Sequence, residues 1–194
     1  MYGLKPPDDG SMTPSGRRAE MFVPAERDPR GLGPANGDER TLLVAFLTAQ
    51  RTTLELKCAG LGARLAQRSA APSTLSLLGL LRHLADVERR WFRRVLAVQD
   101  VPPLFSSPSD PDGDFTGAVP DPAVVTRAWS AWRAETAFAD AFVADAPHLD
   151  IEGHDSWRGT VSLRWVLLHM IEEYARHNGH ADLLRERVDG AIGL

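Results

Sequence analysis

The segment Leu168–His180, with the sequence LHMIEEYARHNGH, carries three of the six histidines of this 194-residue chain. Its apolar residues recur at the spacing of an amphipathic helix. An α-helix turns by about 100° per residue, so four polar side chains of the segment fall within an arc of about 80°. These four residues are His169, Glu173, His177 and His180. One stripe of the predicted helix therefore carries four groups that can bind a metal or exchange a proton.

The helical phase indicates which of these groups face the core. His177 lies about 30° from the centre of the apolar face and Glu173 about 70°, whereas His180 and His169 lie at about 90° and 110°. A carboxylate and an imidazole buried without compensation cost several kcal/mol, so the pair needs a cation, a mutual salt bridge or a hydrogen-bond network. A Glu and a His four residues apart can also bind one metal ion together.

Four amphipathic segments predict four helices. Their predicted bounds are about 39–58 after the cap Asp38, 76–97, 122–145 after Asp121, and 163–188 after the cap Ser162. The connection from about 98 to 120 is rich in Pro, Ser, Asp and Gly, and its length suggests a crossover. No alternating run is long enough to predict a strand. The expected fold is all-α, a four-helix bundle over residues 38–194, preceded by a flexible or extended, partly disordered arm over residues 1–37.

Composition limits the classes of function. The net charge of -4 and the absence of a basic patch disfavour a nucleic-acid binder. A single cysteine, Cys58, excludes an internal disulfide and suits a reducing compartment. No apolar run reaches the roughly 18 residues of a membrane span, and no signal peptide is recognisable. We therefore expect a soluble, cytoplasmic protein that binds neither nucleic acid nor membrane.

The second predicted helix supplies polar residues that can complement the last one. His83 lies at the margin of its apolar stripe, and Glu88 lies about 45° from the centre of that stripe. Metal sites in four-helix proteins are assembled from ligands on facing helices. The interior of the predicted bundle can thus receive His83 and Glu88 from one helix and Glu173 and His177 from another.

These two helices carry a family resemblance. The segments 81–84 (LRHL), 91–92 (WF), 173–180 (EYARHNGH) and 184–185 (LR) resemble the DinB/YfiT-like superfamily of metalloenzymes, in particular its actinobacterial branch. The resemblance covers about residues 38–189. It implies a four-helix bundle that holds a divalent metal through one His of the second helix and two residues of the last helix, which correspond to His83, Glu173 and His177. The mycothiol-dependent maleylpyruvate isomerase branch, which is distantly similar, uses a comparable His, Glu, His set.

The three implied ligands indicate which metal ion could bind, and nearby residues could orient them. Two imidazoles and one carboxylate with an open fourth position suit Zn²⁺, and Ni²⁺ or Fe²⁺ are compatible with the same ligands. His180, Glu88 and Arg185 are the candidates for an outer layer that orients the ligands. For Glu88 the alternative is a structural ion pair inside the bundle, and His180 could also serve as a further ligand.

The leading functional hypothesis is a metal-dependent enzyme that acts on a small molecule. The metal would activate a low-molecular-weight thiol or a water, and the resemblance implies thiol S-transfer with a cosubstrate such as mycothiol or bacillithiol. The alternative is a non-catalytic bundle that binds a metal or a small ligand in stress response or regulation. Hydrolysis by metal-bound water is a weaker third hypothesis, and a homodimer is left open.

Overall fold

The computed structural model describes residues 28–30, 33–69 and 73–191, and these residues are mostly helical. Four long helical segments form the body, which confirms the expected all-α bundle. In chain order the elements are α1 (Glu39–Cys58), α2 (Ala63–Gln67), α3 (Leu77–Glu88), a π-helix (Arg89–Leu96) that continues α3, α4 (Gly113–Thr116), α5 (Pro122–Asp145), β1 (Glu152–Asp155), β2 (Gly159–Ser162) and α6 (Leu163–Val188).

The long helices begin where the sequence predicts, because each is preceded by a capping side chain. Each cap accepts a hydrogen bond from a backbone N–H of the first turn, which would otherwise lack a partner. The four pairs of cap and donor are Asp38 with Thr41, Ser76 with Gly79, Asp121 with Ala123, and Ser162 with Trp165. Pro122 occupies the first turn of α5, where a missing N–H costs nothing.

Side-chain contacts establish how the helices run. Arg164 of α6 pairs with Glu39 at the start of α1, and Asp182 of α6 pairs with Lys57 at the end of α1, so these two helices run in the same direction. The segment of α3 and the π-helix runs opposite to α6. Arg89 and Arg93 of the π-helix both bond Glu135 of α5, and Arg93 lies over Phe138 further along α5. The π-helix and α5 therefore run in the same direction, and the long connection between them is the crossover that its length suggested.

A buried polar network joins the four long helical segments. Glu88 of α3 is fully buried and accepts two hydrogen bonds of 2.7 Å from Arg51 of α1. The Tyr174 hydroxyl of α6 donates to Glu88 at 2.8 Å and accepts from the Trp132 indole of α5 at 2.8 Å. Removing one partner from such a buried set leaves an uncompensated charge or polar group, which costs several kcal/mol. The network thereby fixes the rotation of each helix about its axis.

The structure contains one short hairpin in a part of the chain where the sequence pattern predicts no strand. Strands β1 and β2 pair antiparallel, with Glu152 opposite Ser162 and Asp155 opposite Gly159. Each strand has only four residues, too few to display the alternation by which a strand is recognised. The hairpin is held by tertiary contacts instead, since Arg90 of the π-helix donates a 2.7 Å hydrogen bond to Asp155.

Most of the predicted N-terminal arm lies outside the residues that the structure describes. Residues 1–27 and 31–32 of the predicted N-terminal arm lie outside the described residues, so the extended character of residues 1–37 and the domain boundary at 38 stay predictions. Among the helices of the described segments, none is both long enough and apolar enough to cross a bilayer.

We expect Gly153→Ala to destabilise the protein, because the hairpin backbone lies directly on the π-helix at this residue. A Cβ at position 153 would lie 2.3 Å from the Val95 carbonyl oxygen, and backbone atoms cannot rotate away as a side chain can. The free energy of unfolding should fall by about 1–3 kcal/mol, the usual cost of overpacking.

Urea denaturation measures this change, and Gly179→Ala provides the matched control. A Cβ at Gly179, in an exposed position of α6, meets nothing within 4 Å. That substitution should stabilise the helix by roughly 0.5–1 kcal/mol. Equal unfolding midpoints for the two variants would contradict the close contact between hairpin and π-helix.

Candidate metal centre

The structure brings together the three side chains that the family resemblance implies as ligands. His83 Nε2 lies 3.4 Å from Glu173 Oε1, and His177 Nε2 lies 3.2 Å from the same oxygen. The two imidazole rings are 4.9 Å apart between centroids and inclined by 63°. One ligand atom from each residue can be chosen so that all three lie within 4.8 Å of one another.

These distances suit a tetrahedral cation. Ligand atoms bound at about 2.0–2.1 Å from Zn²⁺ are separated by about 3.3 Å along each edge of a tetrahedron. The observed 3.4 Å and 3.2 Å from Glu173 Oε1 to the two Nε2 atoms match that edge. The 3.4 Å distance exceeds the usual 2.7–3.2 Å range of a direct N–H···O bond, and the 3.2 Å distance lies at its upper end. The chemistry of the three donors, two nitrogens and one carboxylate oxygen, fits Zn²⁺ as well.

The fold determines why these side chains meet. His83 lies on α3, and Glu173 and His177 lie one turn apart on α6, which runs in the opposite direction. Tyr174, next to Glu173, is bonded to Glu88 in the core. With Tyr174 facing the bundle axis, the two α6 residues face the edge of α3 that carries His83. The side chains of His83, Glu173 and His177 are 24%, 18% and 11% exposed, so small molecules can reach the cluster.

Asp114 is a member of the site that the sequence analysis missed. Its Oδ2 lies 2.8 Å from His83 Nδ1, on the side of the ring away from Glu173. Asp114 belongs to α4, a four-residue helix within the crossover, and the neighbouring Phe115 stacks on the His83 ring at 5.1 Å. Helical periodicity could not place a residue of this loop next to α3. The acidic stretch Asp110–Asp114 was the one signal available, and it is typical of loops in general.

His180 reaches the site through His177. The Nδ1 atoms of these two histidines are 3.3 Å apart, so one can donate to the other and leave His177 Nε2 free to face Glu173. Burial, the nearby His177 and the nearby Arg176 lower the pKa of His180, although Glu173 opposes the change. The neutral form of His180 is therefore favoured, and a neutral imidazole can accept the His177 Nδ1 proton.

The remaining candidates have other partners. Glu88 is in the buried ion pair with Arg51, the alternative that the sequence left open. Arg185 pairs with Asp189 and donates to the Lys57 carbonyl oxygen at 2.7 Å. His169 stacks on Trp165, with ring centroids 4.9 Å apart and planes inclined by 14°. It also meets the edge of Trp91 at 5.0 Å, which accounts for a half-buried histidine outside the cluster.

The metal-free cluster is electrostatically coupled. Burial alone would lower the pKa of His83, but hydrogen bonds to Asp114 and Glu173 outweigh it and raise the pKa from 6.5 to about 9. Hydrogen bonds from His177 and His83 hold the pKa of Glu173 well below its usual range. Two carboxylates thus favour positive charge at His83, and a divalent cation in that position would satisfy the same negative charge.

Comparison with known proteins identifies the family of the chain. A family model described as mycothiol-S-transferase matches residues 42–190, which span α1 to α6 and well over half of the chain. The chain belongs to this family. Because the family is DinB/YfiT-like, the match confirms the resemblance seen in the sequence. A search of curated proteins finds no match to the chain.

We expect the affinity for Zn²⁺ to fall as the pH is lowered from 8 to 6. His83 is protonated below pH 9 in the metal-free protein, and its proton must leave before Nε2 can bind a metal. Glu173 remains charged in this range and adds no dependence. One displaced proton weakens binding about tenfold per pH unit, or about a hundredfold over the two units.

Competition with a chromophoric chelator of known proton affinity measures this change. Calorimetry in buffers of different ionisation enthalpy counts the released protons independently. Constant affinity with no proton release would show that His83 is not a ligand.

Proposed function

We propose that this member of the mycothiol-S-transferase family is a metal-dependent enzyme that transfers a low-molecular-weight thiol to an electrophile. The observation that carries the proposal is the convergence of donor atoms from His83, Glu173 and His177 within 4.8 Å of one another, with the two distances from Glu173, 3.4 Å and 3.2 Å, close to the edge of a tetrahedral site. The family name supports mycothiol as the thiol. We further propose Zn²⁺ as the metal, with Ni²⁺ and Fe²⁺ compatible with the same ligands.

The number of donors supports catalysis over a purely structural site. Structural zinc sites are closed by four protein ligands, whereas catalytic sites have three and leave a position for substrate. Within the described residues, the donor cluster comprises His83, Glu173 and His177. His180 approaches Nδ1 of His177, the nitrogen opposite the one that faces Glu173. His180 therefore contacts His177 on the side away from the cluster. The fourth position of a metal bound there would remain open to solvent and to a thiol.

A cleft beside the cluster offers space for a substrate. It has a volume of about 760 Å³, within the range of small-molecule sites. His83 and Asp114 form part of its wall, with the π-helix on one side and hairpin residues 154–156 on another. Polar side chains dominate the lining and include Arg94, Gln99 and Asp100. Such a surface suits a polar, hydroxyl-bearing thiol better than an apolar ligand.

Two irregular backbone segments border this cleft. The π-helix Arg89–Leu96 contributes four cleft residues, and π-helical turns are frequent at functional sites. Val98, which follows it, has a φ of 52°, a left-handed conformation that disfavours a β-branched residue, and its side chain is 80% exposed on the cleft. Strained backbone persists where the surrounding structure enforces it, commonly at binding sites. The π-helix and the left-handed backbone of Val98 both support this cleft as the substrate site.

The residues of the site would divide the work as follows. His83 and His177 would bind through Nε2, and Glu173 would supply a negative charge that offsets part of the charge of the cation. A bound Zn²⁺ lowers the pKa of a thiol at its open position and so favours the thiolate, the nucleophilic form of sulfur. The half-buried surroundings limit the access of water to the reacting sulfur. The S–H proton leaves to solvent, and the sulfur lone pair forms the new bond to the electrophilic carbon. The bond from that carbon to its leaving group breaks, and the leaving group departs with the electron pair, as chloride in the case of monochlorobimane.

Metal analysis and a transfer assay test this function. Protein purified without an affinity tag should contain about one divalent ion per chain, since one three-residue site is proposed. The zinc-loaded protein should accelerate the conjugation of mycothiol to monochlorobimane, and removal of the metal should abolish the acceleration. Conjugation that survives complete metal removal would contradict the proposal.

The variants His177→Ala and His180→Ala separate a catalytic from a structural metal. Because His177 supplies a donor atom, its replacement should abolish zinc binding. His180→Ala should leave the metal bound and alter turnover at most, since His180 only contacts the far nitrogen of His177. Zinc content and conjugation rate are measured together, and His148→Ala, which changes an exposed histidine, is the matched control.

Loss of zinc from His180→Ala as complete as from His177→Ala would mean that protein ligands close the site. The alternative hypothesis, a non-catalytic bundle that binds a metal or small ligand, would then take precedence. The cytoplasmic location, the small-molecule partner without nucleic acid, and a homodimer stay predictions.

A further inference from the structure

The crossover between the π-helix and α5 contributes a carboxylate to the proposed metal site, and we infer that this carboxylate, Asp114, is a positioning residue for His83. When His83 is neutral, as metal binding requires, Asp114 keeps the remaining proton on Nδ1 and leaves the Nε2 lone pair facing Glu173 and His177. This inference rests on the proposed metal site and extends it to a residue outside the ligand set.

The contact geometry defines the role. Asp114 Oδ2 lies 2.8 Å from His83 Nδ1, whereas Glu173 Oε1 lies 3.4 Å from Nε2. The shorter contact on the Nδ1 side therefore restrains the ring. A neutral imidazole has one N–H donor and one acceptor nitrogen. A carboxylate next to Nδ1 accepts a hydrogen bond from Nδ1–H and leaves the lone pair on Nε2, so Asp114 selects the tautomer that can bind a metal through Nε2.

Asp114 is itself firmly held. Its side chain is 9% exposed, and its Oδ1 accepts a 3.0 Å hydrogen bond from the Phe115 backbone N–H. Arg82 of α3 donates 2.7 Å hydrogen bonds to the carbonyl oxygens of Asp114 and Gly113 and thereby ties α4 to the helix that carries His83. Phe115 stacks on the His83 ring. Two hydrogen bonds from Arg82 and the stacking of Phe115 thus hold the segment of the carboxylate against the helix that carries the ring.

Asp114 is placed to orient a ligand and not to be one. It contacts the nitrogen of His83 opposite the one that faces the cluster. The competing interpretation is an ion pair that stabilises the loop and has no consequence for metal binding. The two interpretations differ in what they expect for zinc affinity and for the nitrogen through which His83 binds.

Asp114→Asn and Asp114→Leu form a graded test. The amide oxygen of Asn can still accept a hydrogen bond from Nδ1–H but lacks the negative charge, whereas Leu offers neither an acceptor nor a charge. Loss of an outer partner typically weakens metal binding about tenfold to a hundredfold. We therefore expect the zinc affinity, corrected for the proton that zinc displaces from His83, to fall by about this factor in Asp114→Asn and further in Asp114→Leu.

Asp112→Asn is the matched control. Asp112 is exposed, precedes the same short helix, carries the same charge, and its side chain makes no capping hydrogen bond. This variant should bind zinc like the unsubstituted protein. Thermal unfolding of all metal-free variants shows whether the loop is intact, and Asp114→Asn carries the test if Asp114→Leu fails to fold.

A spectroscopic readout separates positioning from loop stability. In the zinc-loaded protein, ¹⁵N NMR of histidine side chains should show His83 protonated at Nδ1 and metal-bound at Nε2, both in the unsubstituted chain and in Asp114→Asn. In Asp114→Leu the Nδ1 proton should exchange rapidly with water. If Asp114 only stabilised the loop, its replacement would lower the unfolding temperature without changing the zinc affinity of the folded protein.

The inference is overturned if Asp114→Asn and Asp114→Leu bind zinc as tightly as Asp112→Asn, or if His83 coordinates through Nδ1. A chain that binds no zinc overturns the proposed metal site together with this inference. Asp114-dependent zinc binding without any thiol conjugation supports the positioning role and contradicts the proposed reaction. The two proposals can therefore fail separately.

Discussion

The buried hydrogen bonds of Glu88 are the constraint on which the rest of this structure depends. Glu88 accepts from Arg51 and Tyr174, and Tyr174 in turn accepts from Trp132, so one connected set includes a residue from each long helical segment. Rotating any helix would leave a buried charge or hydroxyl without its partner, which costs more than the same rotation in a purely apolar core. Tyr174 is the neighbour of Glu173. The network in the core therefore also sets the direction in which the proposed ligands of α6 point.

The crossover gives the site its outer support. A connection between helices that run in the same direction must traverse the length of the bundle, and this one passes over the edge of α3 that carries His83. Arg82 and Phe115 attach it there through hydrogen bonds and ring stacking. The same topology thus serves two ends: it links the π-helix to α5, and it brings Asp114 to the imidazole. The hairpin on the neighbouring side, tied to Arg90, completes the cleft next to the cluster.

Charged groups are used differently in the core and at the cluster. In the core, Arg51 and Glu88 neutralise each other in a network that is complete without any ligand. At the cluster, Asp114 and Glu173 face histidines, and their hydrogen bonds raise the pKa of His83 and so favour positive charge there. In the metal-free protein a proton on His83 supplies this positive charge. A divalent cation would supply it as well and would bind His83, Glu173 and His177 together. This difference, rather than burial alone, distinguishes the proposed metal centre from the structural ion pair.

The sequence by itself determined the helices and the proposed ligands. Amphipathic period and capping residues are local signals, so the four long helical segments begin and end near their predicted residues, and the spacing of Glu173 and His177 already placed both on one helix face. Family resemblance added His83. Tertiary structure alone decided the rest: the four-residue strands are stabilised by the π-helix and carry no period of their own. The sequence allowed Glu88 either a role beside the metal site or an ion pair in the core, and only the position of Arg51 on α1 shows that it forms the ion pair. Asp114 lies in a loop whose course depends on contacts with residues about thirty positions away, because loops without a repeating pattern take their conformation from the surfaces on which they pack.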